Sequence, residues 1–282
     1  MTISSSNNKV AVITGSSSGI GYETSLMLAR NGFITYATMR NLNKSENIKF
    51  NAGKENLPLR LAQLDVTDDV SIKNAVQAVL SETGRLDVLV NNAGYVLEGA
   101  FEHLSMNELK EQYETNVFGL IRTTQAVLPI MRKQKSGTIV NISSVAGKFG
   151  YPGGSAYVST KFAVEGLSES MAYELEPFGI KVIIIEPGVI RTNIFNSVVI
   201  AKNSKDPNSP YTQTTQKMAS SFERMMKDAS SPELVAKVVL EAVTNETSNL
   251  RYLAGKDAET WLDAKRKMTD EEFYKMMKQN LL

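Results

Sequence analysis

Short runs of Val and Ile recur along the chain, each followed by a longer stretch whose apolar residues return every three or four positions. A short apolar run bounded by turn formers reads as a strand, and a 3.6-residue apolar period reads as a helix laid against it. The pattern predicts strands at Lys9–Thr14, Phe33–Thr38, Leu59–Leu64, Leu86–Val90, Thr138–Ile142, Lys181–Ile185 and Leu250–Leu253. Helices are predicted at Gly21–Arg30, Val70–Ser81, Asn107–Lys133, Ala156–Glu176 and Pro232–Thr244. Val182-Ile183-Ile184-Ile185 shows no polar alternation, as a strand covered on both faces requires. The expected class is therefore α/β, a single doubly wound domain on a seven-stranded parallel sheet, with no Pro/Gly/Ser linker to divide it.

The rhythm breaks after Pro187-Gly188. Over about 193–231 a polar centre, Lys202–Pro210, is flanked by Ile194, Phe195 and Val198–Ile200 on one side and by Met218, Phe222, Met225 and Met226 on the other. An insertion of that length in a compact domain reads as a substrate lid, the alternative being a surface helix pair that only packs. Two further helices, Asp257–Lys267 and Asp270–Lys278, carry Trp261, Leu262, Phe273, Tyr274, Met276 and Met277 at apolar positions. The division expected is a flexible stretch 1–8, a main domain 9–255, and a helical extension of it over 256–282 that covers the substrate entrance or packs between subunits.

Composition narrows the function. The 282 residues hold 42% hydrophobic and 22% charged side chains, enough for a full core and too apolar for disorder. Lys and Arg number 31 against 30 Asp and Glu, so no basic footprint for nucleic acid or an anionic membrane exists. The absence of Cys excludes disulfides, thiolate metal sites and cysteine nucleophiles. The single histidine, His103, excludes multi-histidine metal sites, and without a surrounding motif it reads as a surface or pocket-rim residue, so no metal is expected. No run approaches the ~20 apolar residues of a membrane span, and Met1–Lys9 lacks the apolar stretch of a signal peptide, which points to a cytoplasmic location. Asn141-Ile142-Ser143 and Asn245-Glu246-Thr247 read as chance glycosylation sequons.

Candidate chemistry starts at the first strand, which ends in Thr14-Gly15-Ser16-Ser17-Ser18-Gly19-Ile20-Gly21 and runs into a helix. Glycines in such a turn let the backbone approach a pyrophosphate, whose charge rests on free helix N–H groups. Gly15, Ser17, Ser18, Gly19, Ile20 and Gly21 are thus candidate dinucleotide contacts in a Rossmann-type fold. An acid about 20 residues further on normally holds the adenosine ribose of NAD. Here no acid stands between Glu23 and Glu46, and the second strand ends in Thr38-Met39-Arg40-Asn41. Arg40, with Lys44 in support, suits a 2′-phosphate and hence NADP(H), with NAD the alternative and a solvated strand-end cation the bland reading.

Tyr157 and Lys161 lie four apart near the start of a predicted helix and so share a face. An ammonium there is expected to bring the phenol, ordinarily of pKa ~10, closer to the working pH of a general acid/base. Tyr-x3-Lys alone is common; its place after Ser143-Ser144, at the carboxyl end of the fifth predicted strand, is where open α/β sheets bind ligands.

Together these motifs resemble the short-chain dehydrogenase/reductase family in its classical branch. The matching features are Thr14-Gly15-x3-Gly19-x-Gly21, Asp65-Val66, Asn91-Asn92-Ala93-Gly94, Asn116, Ser144, Tyr157, Lys161 and Pro187-Gly188-x3-Thr192, covering residues 9–192 in the family's order. Ser144, thirteen residues before Tyr157, rather than Ser143, takes the family's serine position. The resemblance implies Tyr157 as proton donor to a carbonyl or base toward an alcohol, and Ser144 as the group polarising that oxygen. It implies that Lys161 holds the nicotinamide ribose and that Asn116 anchors a proton-relay water, a helical surface amide being the plain alternative for Asn116. By the same resemblance Asp65 and Val66 border the adenine, Asn91, Ala93 and Gly94 the adenosine side, and Pro187, Gly188, Ile190 and Thr192 the nicotinamide side, with Asn91 and Asn92 equally readable as ties between strand ends.

Tyr95, Val96, Leu97, Phe101, Phe149 and Tyr151, with the lid's side chains, suggest an apolar pocket for a hydrophobic ketone, aldehyde or alcohol. The stretch Ala37–Asn41 and the C-terminal extension are similar to 17β-hydroxysteroid and retinol dehydrogenase-like members, and family members are commonly homodimers or homotetramers. Two rival functions are a non-catalytic NADP-sensing protein and a sugar-nucleotide epimerase of the extended branch; the latter usually shows Gly-x2-Gly-x2-Gly and a larger C-terminal domain, neither present here.

Overall fold

The computed structural model describes residues 8–191, 198–245, 247 and 249–282. Seven strands, β1 (Val10–Ile13), β2 (Ile34–Met39), β3 (Leu59–Gln63), β4 (Val88–Asn91), β6 (Gly137–Ile142), β7 (Ile180–Pro187) and β9 (Arg251–Ala254), pair in parallel in the order β3-β2-β1-β4-β6-β7-β9. The direction of winding reverses between β1 and β4, and a crevice opens above their carboxyl ends.

Alternation along the strands feeds two cores. Val10, Val12, Leu89, Ile139 and Val182 face one side, where α3 (Asp69–Thr83), α5 (Gly119–Gln134) and α6 (Ser155–Leu175) supply Ile72, Val79, Val127, Met131 and Leu175. Ala11, Ile13, Val88, Val90, Val140, Ile183 and Ile185 face the other, against α1 (Gly19–Arg30) and α8 (Pro232–Thr244), which bring Leu28, Val235 and Val239. The unbroken aliphatic run in β7 thus contributes Val182 to one core and Ile183 and Ile185 to the other.

Four elements depart from the periodic reading. The helix expected over Asn107–Lys133 is α4 (Met106–Tyr113) and α5 joined by a π-helical turn, Glu114–Phe118. The apolar period runs through that turn, so the extra residue per turn leaves no hydropathy mark. A helix α2 (Glu46–Lys54) packs beside β2 through Ile48 and Ala52 only, too few apolar positions to announce it. Two three-residue strands, β5 (Val96–Glu98) and β8 (Val198–Ile200), form a separate parallel pair. The segment expected as a lid holds β8 and α7 (Thr212–Lys227), while residues 192–197, with Ile194 and Phe195, lie outside the described residues. The chain closes with α9 (Lys256–Lys267) and α10 (Asp270–Leu281), docked through Leu262, Phe273, Met277 and Leu281 onto Phe149. The Phe149 ring stands edge-on to Trp261 and Phe273, at centroid separations of 6.0 and 5.2 Å.

Candidate active site

The turn after β1 is shaped by close backbone approach. Gly15 and Gly19 take φ of +70° and +61°, a region that side chains other than glycine's resist. A Cβ at Gly21 would meet the Gly15 carbonyl oxygen at 2.6 Å and the Asn92 amide closer still. Asn92 is the tie that holds this turn to β4: its Nδ2 donates to the carbonyls of Thr14 (2.8 Å) and Gly15 (3.2 Å), while the Thr14 hydroxyl accepts from the backbone N–H of Asn92 and Ala93. Asn91 is used the same way, donating to Thr124 and Asn141 and accepting from Thr123, so its amide is spent inside the core.

The start of α1 is left bare. Its N-cap residue Ser18 makes no side-chain capping bond and its first turn has no acid, whereas α3 is capped by Asp68 and α10 by a reciprocal Thr269–Glu272 box. Free N–H groups above a glycine cradle that a Cβ would fill are what a pyrophosphate needs, so the crevice fits a dinucleotide. At the tip of β2, Arg40 is exposed and makes no ion pair with a described residue; its carbonyl accepts from Gln63. Asp65 turns its carboxylate onto Thr67, and Val66 packs against Gly119.

At the carboxyl end of β6 the chain delivers Ser143 inward and Ser144 outward. Ser143 is buried, and Ser144 lines a cavity of about 890 Å³ together with Tyr157 from the first turn of α6. The Ser144 Oγ accepts from the Ala146 N–H at 3.1 Å and lies 3.5 Å from the Pro187 carbonyl. Lys161, one turn further along α6, donates to the Ile142 carbonyl at 2.7 Å, with its Nζ 5.5 Å from the centre of the Tyr157 ring. Burial pushes the Tyr157 phenol up to about 12, the Ser144 hydrogen bond pulling it back in part. This is opposite to the depression expected from Tyr-x3-Lys spacing, because desolvation of the phenolate is larger than the opposing Ser144 hydrogen bond. Burial likewise brings Lys161 down to about 8, opposed by the charge of Glu165.

Asn116 sits in the π-helical turn, buried rather than on a helical surface. Its Oδ1 accepts from Tyr95 N–H, and its Nδ2 donates to the Tyr95 carbonyl and to Thr160 Oγ1. Thr160 is the neighbour of Lys161, so this amide ties the loop after β4 to the helix bearing the Tyr/Lys pair.

The cavity above this group has mostly apolar walls. Phe149 and Tyr151 come from the loop after β6, Met218, Phe222 and Met225 from α7, and Trp261, Met277 and Leu281 from the two last helices. Val96, Phe101, Val198 and Ile200 line it as well, whereas Leu97, expected there, turns away into a small core with Ala156 and Ala201. Tyr95, also expected at the pocket, packs against that small core. His103 lies beside this wall, its ring nitrogens 3.0 and 3.2 Å from the hydroxyls of Ser204 and Ser209 and its ring edge-on to Tyr211.

The loop after β7 places Gly188 and Ile190 in the same cavity, and Thr192 lies outside the described residues. Gly188 N–H donates to the Ala254 carbonyl, and the Asp257 carboxylate at the start of α9 accepts from Val189 N–H at 2.6 Å. Asp257 carries no motif in the sequence; an acid in the first turn of a helix reads as ordinary dipole stabilisation. A second group missed from sequence is the buried pair Glu165 and Glu186. Lys148 lies 3.2 and 3.6 Å from them and Arg251 3.0 and 3.1 Å. Burial and the neighbouring Glu165 charge push Glu186 up to about 7.

A family model described as short chain dehydrogenase matches residues 9–203, and the chain belongs to that family of oxidoreductases. It is 39% identical over 254 residues to the uncharacterized oxidoreductase YusZ of Bacillus subtilis, a match covering 89% of this chain and 90% of the relative. To retinol dehydrogenase 8 of Bos taurus it is 34% identical over 252 residues, covering 86% and 80%. Among solved structures, a short-chain dehydrogenase from Streptomyces avermitilis superposes with a TM-score of 0.84 at 34% identity over 98% of each chain. The NADP-bound ElxO superposes at 0.74 with 28% identity, over 90% of this chain and 99% of its own. Among the described residues no helix is long and apolar enough to cross a membrane, and no three His, Asp or Glu side chains gather as metal ligands.

Proposed function

We propose that the protein is an NADP(H)-dependent oxidoreductase acting on the carbonyl or alcohol of a hydrophobic small molecule. The observation that carries this reading is the placement of the Ser144 and Tyr157 hydroxyls in an apolar cavity at the carboxyl edge of the sheet, beside a glycine cradle suited to a dinucleotide. Gly15, Ser17, Ser18, Gly19, Ile20 and Gly21 would hold the pyrophosphate, with Asp65, Val66, Ala93, Gly94 and the Asn91 backbone along the adenosine. Lys161, Pro187, Gly188, Ile190 and Thr192 would hold the nicotinamide half. When bound, the nicotinamide supplies or takes up the hydride.

The rest falls to the chain itself. Ser144 donates a hydrogen bond to the substrate oxygen and orients it. Tyr157, held protonated through the neutral range, passes its phenolic proton to that oxygen in reduction and takes it back in oxidation. Lys161 stands behind the phenol as a cation, and Asn116 keeps the Tyr95 loop and α6 in register.

NADP(H) over NAD(H) is supported by Arg40, which forms no ion pair with a described residue, by the missing acid between Glu23 and Glu46, and by the NADP in ElxO. A hydrophobic substrate is supported by the cavity walls and by the likeness to retinol dehydrogenase 8. A homo-oligomer, dimer or tetramer, is supported by exposed Phe118, Phe162 and Tyr173 on the elements that follow β4 and β6. The test is a screen of hydrophobic ketones, aldehydes and alcohols that follows NADPH oxidation or NADP reduction. Turnover of at least one class is expected; tight NADPH binding with no turnover across the screen would replace this reading with that of a binding protein.

A further inference from the structure

Ser144 and Tyr157 account for one oxygen of a substrate, yet the same cavity also holds the carboxyl group of Glu98. Along β5 the alternation is plain: Val96 and Glu98 line the cavity while Leu97 between them is buried in the opposite direction. Across the ladder Val198 and Ile200, the register partners of Val96 and Glu98, line it too, and Val199 does not. The Glu98 carboxyl group is thus built into the wall on a strand, not carried on a free loop. It makes no hydrogen bond or ion pair with any described residue, and Tyr151, which also lines the cavity, is close enough to feel the charges of both Glu98 and Tyr157. Burial raises its pKa above the ordinary carboxyl value.

A carboxylate so placed costs stability unless something neutralises it, and no described Lys or Arg forms an ion pair with it. Arg224, which also lines the cavity, donates to Ser221 and forms no ion pair with Glu98, and Lys148 and Arg251 serve Glu165 and Glu186. A cationic group on the ligand would supply the partner that the described side chains do not. We propose that Glu98 is a specificity-determining residue that receives the cationic amino group of an otherwise apolar substrate, whose carbonyl or alcohol is presented to Ser144 and Tyr157. The inference rests on the reading of the cavity as the substrate site. It narrows the substrate class from hydrophobic carbonyls in general to hydrophobic amino ketones and amino alcohols.

Trp261 is the single tryptophan of the chain and lines the cavity, so its fluorescence reports binding there without turnover. The full chain is titrated with octylamine and with 1-octanol near neutral pH, where the amine is charged. We expect the amine to bind at least tenfold more tightly, and Glu98→Gln to bring the two affinities together. The same titration on Glu223→Gln, which alters the other acid of the cavity wall, is expected to keep the preference. Equal affinities in the parent overturn the inference, as does a preference that survives Glu98→Gln or is lost in Glu223→Gln. Equal affinities in the parent are decisive even if a variant fails to fold. Octanol binding without an amine preference defeats only the role of Glu98; failure of both probes defeats the apolar-site reading and this inference with it.

Discussion

The Lys161 ammonium lies 5.5 Å from the centre of the Tyr157 ring and spends a hydrogen bond on the Ile142 carbonyl at the end of β6. The cation is therefore anchored to the sheet while it overlooks the phenol. Each of the two groups is shifted by burial toward its neutral form, Tyr157 up to about 12 and Lys161 down to about 8.

Removing the phenolic proton should abolish turnover without emptying the cofactor crevice. Tyr157→Phe is expected to lower kcat by at least 10²-fold, the usual contribution of a positioned acid or base, while NADPH affinity stays within a few-fold of the parent. Steady-state rates and a fluorescence titration with NADPH check the two halves separately.

Arg40 decides nucleotide choice if its exposed guanidinium meets a 2′-phosphate. Arg40→Ala is expected to weaken NADPH binding about tenfold or more and to leave NADH nearly unchanged, the difference being one charge-assisted contact. Parent affinities that are equal for the two nucleotides would defeat this assignment.

The loop after β7, proposed above to hold the nicotinamide half, is pinned from the C-terminal helices. Asp257→Ala removes the acceptor of Val189 N–H and leaves that donor without its partner, at a cost of about 1–3 kcal/mol. Urea unfolding should show that loss, and KM for the nucleotide should rise more than kcat falls, since the loop is loosened and no reacting group is touched.

Glu186 should leave a signature in the pH dependence of stability. Its folded pKa of about 7 stands above the ordinary 4.5, so the folded state holds the proton longer than the unfolded chain. That contribution is fully present below pH 4.5 and is lost as pH rises through 7, with stability falling by up to ~1.4 kcal/mol per pH unit in the window. Glu186→Gln should flatten the slope between pH 5 and 7, read as the shift in the urea midpoint; an unchanged slope would place the titration elsewhere in the cluster with Glu165, Lys148 and Arg251.

What the sequence determined by itself is what acts within one element or one turn. Aliphatic runs with turn residues between them specify a parallel sheet covered on both faces, positive-φ glycines specify the turn at Gly15 and Gly19, and four-residue spacing puts Tyr157 and Lys161 on one face of α6. Tertiary structure alone decided the rest, because it depends on residues far apart in the chain sharing a small volume. Val96–Glu98 meets Val198–Ile200 a hundred residues on, Asp257 reaches back to Val189, and Trp261, Met277 and Leu281 close a cavity begun at Ser144. The charge state of the central phenol belongs to the same group: spacing announces the lysine, but only burial sets how far each group is driven from water, and here burial dominates.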